Sequence, residues 1–305
     1  MYDLIIIGGG PGGVSAGVYA SRKQLKTLFI TKEWGGQSTV SPDIQNWIGT
    51  PSISGPDLAK NLEAHLRAYA GEWVTILENK LVASITKKDT GFTVTLEDGS
   101  AHESRAVLIT TGSNRRKLTV PGAEEFDNKG ITYCASCDGP LFSGQDVVVI
   151  GGGNAGFESA AQLLAYTKSV TLLHHGPAFK ADPVTVEKVL SHPNMTGIVG
   201  AKTKAINGEK FVSSIIYEKD GVDHELPVAG IFVEIGLVPS TEFVSGLVEF
   251  DDYKRIKIDP WTQQTSVAGI WAAGDCTNIK YHQNNISAGD AVRALEDIYV
   301  HLKTK

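Results

Sequence analysis

Apolar residues in this chain gather in short, unbroken runs, and glycine follows them. "LIII" spans 4–7 and "VVVI" spans 147–150, and three consecutive glycines come after each run. An uninterrupted aliphatic run of this kind is the pattern of a parallel strand buried on both faces. Beyond the glycines lies an alanine-rich stretch of helical character. A second apolar strand then follows, "TLFIT" at 27–31 and "VTLLH" at 170–174. Residues 4–31 and 147–174 therefore read as two copies of one strand–turn–helix–strand unit. Their spacing agrees, since Gly8 precedes Thr31 by the same interval as Gly151 precedes His174.

The rest of the pattern extends this picture. "KLVASITKKDTGFTVTLEDGS" alternates as a strand pair does and carries a turn at Asp98-Gly99. "AVLITTGS" at 106–113 predicts a buried strand ending in a glycine turn, and "VAGIFVEIGLVP" and "VAGIWAAGDC" predict two more. "SAGDAVRALEDIYVHL" at 287–302 predicts a C-terminal helix. The expected fold class is α/β, with two Rossmann-like dinucleotide-binding domains.

The glycines have distinct tasks in such a unit. Gly8 and Gly151 permit the tight turn from strand to helix. Gly10 and Gly153 let a pyrophosphate approach the backbone, and Gly13 and Gly156 let helix and strand pack closely. The helix that follows turns free N–H groups and a partial positive charge toward the phosphates. One GxGxxG is a weak signal, but two in the right strand-and-helix context point to two dinucleotides. An enzyme that exchanges electrons between FAD and a nicotinamide needs that pair of sites.

Composition narrows the field. The chain has 305 residues, room for two domains of roughly 100–200 residues. Its formal charge is -6 and it has no basic run, so neither nucleic acid nor an anionic membrane is an expected partner. No apolar run approaches the ~18 residues of a membrane-spanning helix. The opening "MYDLIIIGGG" reads as a first strand, not as a signal peptide. Three cysteines do not make a secreted disulfide framework, so the expected compartment is the cytoplasm.

Two of those cysteines, Cys134 and Cys137, lie in "ITYCASCDGPLF". A structural zinc site needs four ligands, and this chain has no second CxxC and no histidine pair at finger spacing, so no metal is expected. A purely structural staple across two residues closes too small a loop to constrain much. A redox couple uses what the spacing offers: one thiolate attacks a disulfide and its neighbour resolves the mixed disulfide. Cys276 in "AAGDC" reads as a small buried residue.

Taken in order, "GGGPGG", "GGQ" at 35–37, "QNW" at 45–47, "TTG" at 110–112, "CASCDG" at 134–139, "GGGNAG" and "AAGDC" resemble the low-molecular-weight thioredoxin reductase family over nearly the whole chain. "CDGPLF" and "GIFVEIGLVP" look like the core of the alkyl hydroperoxide reductase flavoprotein. The resemblance implies a discontinuous FAD domain, 1–113 and 244–305, with an NAD(P)H domain, 114–243, inserted into it and carrying the cysteines. It implies that Cys137 meets the flavin, that Cys134 is the interchange thiol and that Asp138 is the acid–base group. FAD would be held by Gly8, Gly10, Pro11, Gly12 and Gly13, by Gly36, Gln37 and Asn46, by Thr111 and Gly112, by Gly274 and Asp275, and by His282, Gln283 and Asn284. The nicotinamide would meet Gly151, Gly153, Asn154, Ala155, Gly156, His174, His175 and Lys180. The expected partner is thioredoxin or a thioredoxin- or glutaredoxin-like protein, and the expected assembly is a homodimer.

Two stretches depart from the family. His282-Gln283-Asn284 stands where most members have Arg-Gln-Ala. "HHGPAFK" at 174–180 stands where NADPH-specific members carry arginines that clamp the 2′-phosphate. A histidine carries less charge than arginine at neutral pH, so His175 makes a weaker phosphate ligand. NADPH is the expected donor. NADH with a peroxiredoxin system, or a non-nicotinamide donor such as ferredoxin, is the alternative.

Overall fold

A computed structural model describes residues 1–41 and 43–304. The chain forms two compact units. The first comprises Met1–Asn114 and the segment from Val238 onward, and the second comprises Arg115–Leu237.

The chain enters the first unit through β1 (Tyr2–Gly9), α1 (Pro11–Arg22) and β2 (Thr27–Trp34). It continues through α2 (Gly55–Ala70), β3 (Val74–Leu77), β4 (Val82–Lys88), β5 (Gly91–Leu96) and β6 (Ala101–Ile109). The sheet order is β3-β2-β1-β6-β5-β4. The predicted strand pair is β4 with β5. It turns at residues 89–90, whereas Asp98-Gly99 leads into β6. β1 runs parallel to β2 and β6, while β5 is antiparallel to both of its neighbours.

The chain leaves through β7 (Ser113–Arg115) and builds the second unit from β8 (Ile131–Thr132), α3 (Ala135–Asp138), β9 (Asp146–Ile150), α4 (Asn154–Leu163) and β10 (Ser169–His174). Then come α5 (Pro183–Leu190), β11 (Met195–Val199), the strands β12 (Lys202–Gly208), β13 (Val212–Lys219) and β14 (Val222–Pro227), and β15 (Gly230–Val233). A parallel sheet has the order β11-β10-β9-β15-β8, and β12-β13-β14 form a separate antiparallel sheet. The chain returns through β16 (Leu237–Pro239) and ends with β17 (Ile270–Ala272) and α6 (Asn284–Thr304). β17 pairs with the last residues of β6, beyond the stretch of β6 that β5 covers.

Period-two alternation sorts the buried side chains onto the two faces of each sheet. In the first unit Leu4 and Ile6 pack with α1, α2 and α6, through Val14, Leu62 and Leu295. Ile5 and Ile7 lie in a second cluster with Phe92, Val94 and Ile256. In the second unit Val147, Val149 and Phe232 pack with Phe157 and Leu163 of α4. Val148, Ile150 and Ile231 pack with Ile206 and Ile215 of the antiparallel sheet. Both faces of each central strand are therefore dry, which is why those strands read as unbroken apolar runs.

Candidate functional site

The two glycine turns have the same backbone. Gly8 has φ +121° and Gly151 has φ +129°, a region that L side chains rarely adopt. A Cβ on Gly13 would strike the Gly8 carbonyl oxygen, and one on Gly156 would strike that of Gly151. Gly10 and Gly153 differ from these, since a Cβ there would meet nothing within 4 Å. Each caps its helix from an extended conformation and borders open space, where a pyrophosphate could approach.

In the first unit that space is a cavity of about 750 Å³. The expected residues Gly8, Gly10, Pro11, Gly12, Gly36, Gln37, Thr111, Gly112, Gly274, Asp275 and Asn284 line it. Gly13 lies behind the turn, and Asn46, His282 and Gln283 sit outside the lining. Those three still belong to polar pairs around it. Asn46 Nδ2 donates to Gln283 Oε1 at 3.1 Å, and His282 Nδ1 is 3.3 Å from Asp275 Oδ1. Ser287 Oγ, in the first turn of α6, also reaches Asp275 Oδ1 at 3.3 Å.

Several residues of this neighbourhood escaped the sequence reading. Ser38 Oγ donates to Asn284 Oδ1 at 3.0 Å. Asn285 Nδ2 donates to the Asn46 carbonyl at 2.7 Å, and Asn285 Oδ1 accepts from the Ile48 N–H at 3.4 Å. These bonds tie the loop around residues 38–48 to the start of α6. Their partners lie more than two hundred residues apart, so no local signal marks them. α6 itself begins at Asn284, three residues before the predicted stretch.

At the second turn, Asn154 and Ala155 open α4 and are exposed, and Asn154 Oδ1 accepts from the Asp182 N–H at 2.8 Å. His174 is 4% exposed, and its ring fills the place a Cβ on Gly152 would take. The Gly152 N–H donates to His174 Nδ1 at 3.3 Å. Burial lowers the His174 pKa, and His175 and Lys180 push the same way against a bond with the Ala178 backbone. His174 thus packs as a neutral ring. His175 and Lys180 are exposed on the loop beyond it. Thr31, at the matching place in the first unit, also turns inward: a Cβ on Gly9 would strike its hydroxyl. Neither strand end needs an acidic residue for its own packing.

Cys134 and Cys137 form a disulfide, with Cα atoms 5.3 Å apart. Cys134 caps α3, and its carbonyl accepts from the N–H groups of Cys137 and Asp138 at 3.2 and 3.0 Å. Both cysteines are partly accessible, while Asp138 is buried and accepts a hydrogen bond from Thr132 Oγ1. Ser136 Oγ lies 3.6 Å from Cys134 Sγ. Cys276 is fully buried in the other unit, and burial pushes its thiol pKa up to about 11. Among the described residues no group of three or more His, Cys, Asp or Glu is placed to hold a metal. Nor is any helix long and apolar enough to cross a membrane.

The model of the pyridine nucleotide-disulphide oxidoreductases matches residues 2–289. The chain belongs to that family. The family implies a flavin and a nicotinamide dinucleotide. Among solved structures, it resembles thioredoxin reductase from Streptococcus pyogenes, with TM-score 0.90 and 32% identity, covering 100% of this chain and 99% of the other. It also resembles thioredoxin reductase from Giardia duodenalis, with TM-score 0.92 and 29% identity over the same shares. Among curated proteins, it is 40% identical to the NADH dehydrogenase of Bacillus subtilis over 295 residues, 96% of this chain and 57% of that one. An alkyl hydroperoxide reductase component of Staphylococcus aureus matches at the same identity and coverage. The chain thus spans little more than half the length of the curated relatives it matches.

The residues present fit a flavin dinucleotide in the first unit. An open Gly10, free N–H groups at the start of α1 and a polar rim at Gln37, Asp275 and Ser287 meet in one cavity of the size that ligands occupy, roughly 300–1,000 Å³.

Proposed function

We propose that this protein is an FAD-dependent disulfide reductase of the thioredoxin reductase type, taking electrons from NADPH and passing them to a small protein disulfide. The observation that carries this reading is the accessible Cys134–Cys137 disulfide, set beside buried Asp138 in the unit with the second dinucleotide turn. Bound FAD supplies the two-electron relay between the nicotinamide and the cysteines.

The chain's own residues do the rest. Two electrons break the Cys134–Cys137 bond, and Cys137 is the sulfur on the flavin side. Asp138 moves the proton that Cys134 gains on leaving. Asp138 takes that proton back, and the Cys134 thiolate attacks the partner's disulfide to form a mixed disulfide, releasing one partner sulfur that leaves with the proton as a thiol. Cys137 attacks Cys134 in turn, which frees the second partner thiol and restores the internal bond. Thioredoxin or a thioredoxin- or glutaredoxin-like protein is the partner, and the working assembly is a homodimer in the cytoplasm. The two domains divide near residue 113 and between residues 237 and 243.

A second reading keeps flavin and cysteines but takes NADH as donor and serves a peroxiredoxin system. The 40% identity to an alkyl hydroperoxide reductase component favours it, and so does a donor loop that exposes His175 and Lys180 and holds no arginine. Anaerobic titration of the FAD-loaded protein with NADPH and NADH, followed by flavin bleaching, separates the two. The first reading expects bleaching to be complete at about two equivalents of NADPH, one for the flavin and one for the Cys134–Cys137 disulfide, and slow bleaching by NADH. The reverse order selects the second, and bleaching by neither removes the nicotinamide from both. A Cys134→Ser variant should still bleach but reduce no partner disulfide; wild-type turnover in that variant would overturn the thiol assignment.

A further inference from the structure

The second unit carries an acidic side chain where its fold expects an anion to bind. In open parallel sheets, ligands enter the crevice at the carboxyl ends of the strands where strand order reverses. Here β10 and β11 extend from one side of β9, and β15 lies on its other side, so the reversal falls between β9 and β15. Gly151 ends β9 on one wall of that crevice, and Glu234 ends β15 on the other. The Glu234 N–H donates to the Ile150 carbonyl at 2.8 Å, and a Cβ on Gly151 would strike the Glu234 carbonyl oxygen.

The side chain of Glu234 points toward α4. Phe232, two residues earlier on the same sheet face, packs with Phe157. Ser159 Oγ of α4 donates to Glu234 Oε1 at 2.7 Å. The carboxyl is therefore held beside the first turns of the helix whose N-terminus borders the open space at Gly153. A helix start favours negative charge, whether from a ligand or from a side chain.

We propose that Glu234 sets the affinity of this crevice for its dinucleotide, its carboxylate competing with the pyrophosphate for the field at the start of α4. The inference rests on the reading of the second unit as the nicotinamide site, and it concerns a residue that reading leaves without a role.

Burial is the main influence on the carboxyl and favours its neutral form. Glu158 on α4 pushes the same way by like charge, while the Ser159 bond and Arg115 oppose it. The Glu234 pKa consequently lies above the ordinary glutamate value. At low pH the carboxyl is neutral and the dinucleotide binds unopposed. As pH rises through the Glu234 pKa, the carboxylate appears and affinity falls. His174 is buried beside the glycine turn, where burial lowers its pKa, and His175 and Lys180 are exposed beyond it.

The test uses the full chain loaded with FAD and ADP-ribose as the probe, since it carries the pyrophosphate but transfers no hydride. Affinity is measured by calorimetry from pH 5.5 to 8.5 on the wild type and on Glu234→Gln and Ser159→Ala, with thermal melts to confirm folding. The wild type should weaken with rising pH. Glu234→Gln should flatten that profile and bind roughly three- to tenfold more tightly at the upper end. Ser159→Ala should move the weakening to higher pH, because the bond that favours the charged carboxylate is gone. A Glu234→Gln profile equal to the wild type overturns the proposal and leaves the nicotinamide site standing. Binding by no folded protein at any pH overturns both.

Discussion

At the residue scale the three cysteines differ by environment, not by sequence context alone. Cys134 and Cys137 share a bond in an accessible turn, whereas Cys276 has no exposed surface and its thiol contacts the carbonyls of Ile109 and Ala273. A thiol held near pKa 11 stays protonated at pH 8, and only the thiolate alkylates. After mild reduction at pH 8, iodoacetamide should label Cys134 and Cys137 in the native protein and leave Cys276 untouched until denaturant is added. Rapid native labelling at Cys276, read by peptide mass, would contradict its burial. The "AAGDC" context already suggested a small buried residue, because a thiol following a strand end behaves as a small hydrophobe. Glu234 was not legible in the same way. An acidic residue after an apolar run looks like any strand leaving the core, and only the neighbouring helix shows where its carboxyl is held.

At the element scale the two strand–turn–helix units were legible because Gly8, Gly13, Gly151 and Gly156 answer backbone demands that no other residue meets as cheaply. The demands are not equal, and this separates two substitutions in α4's turn. Gly156→Ala drives a Cβ onto the Gly151 carbonyl, so the turn must open or the helix must shift, at a cost of about 1–3 kcal/mol. Gly153→Ala meets only open space from an ordinary extended conformation, and its stability cost should stay within about 1 kcal/mol. Its methyl group would, however, occupy the approach of a pyrophosphate. Thermal melts should therefore fall for Gly156→Ala and hold for Gly153→Ala, while flavin bleaching by nicotinamide should slow in the latter. A stable Gly153→Ala protein with unchanged bleaching would place the dinucleotide elsewhere. The antiparallel strands β12, β13 and β14 gave no comparable signal. Their outer positions are polar and their inner ones, such as Ile206, Val212 and Ile215, become meaningful only against the sheet they cover.

At the scale of the whole molecule, two internal copies produce two units, each with dry clusters on both faces of its own central sheet. The clusters of the second unit draw on Leu118, Val120 and a set of residues ending at Ile235, all within Arg115–Leu237. The ends of that segment meet, since the Arg116 N–H donates to the Gly236 carbonyl at 3.0 Å. A segment with its own core, joined ends and a length near the usual ~100–150 residues of a domain has what autonomous folding requires. The first unit's cut ends meet as well, through the Ser240 N–H and the Gly112 carbonyl at 3.0 Å. Residues 115–237 expressed alone should therefore unfold in one cooperative thermal transition and keep the Cys134–Cys137 disulfide without binding flavin. Residues 1–114 joined by a short linker to 238–305 should hold FAD and show its absorbance, since the cavity at Gly10 draws only on that unit. A second unit that binds a dye for exposed apolar surface and melts without cooperativity would show that its clusters need the first unit for their final packing.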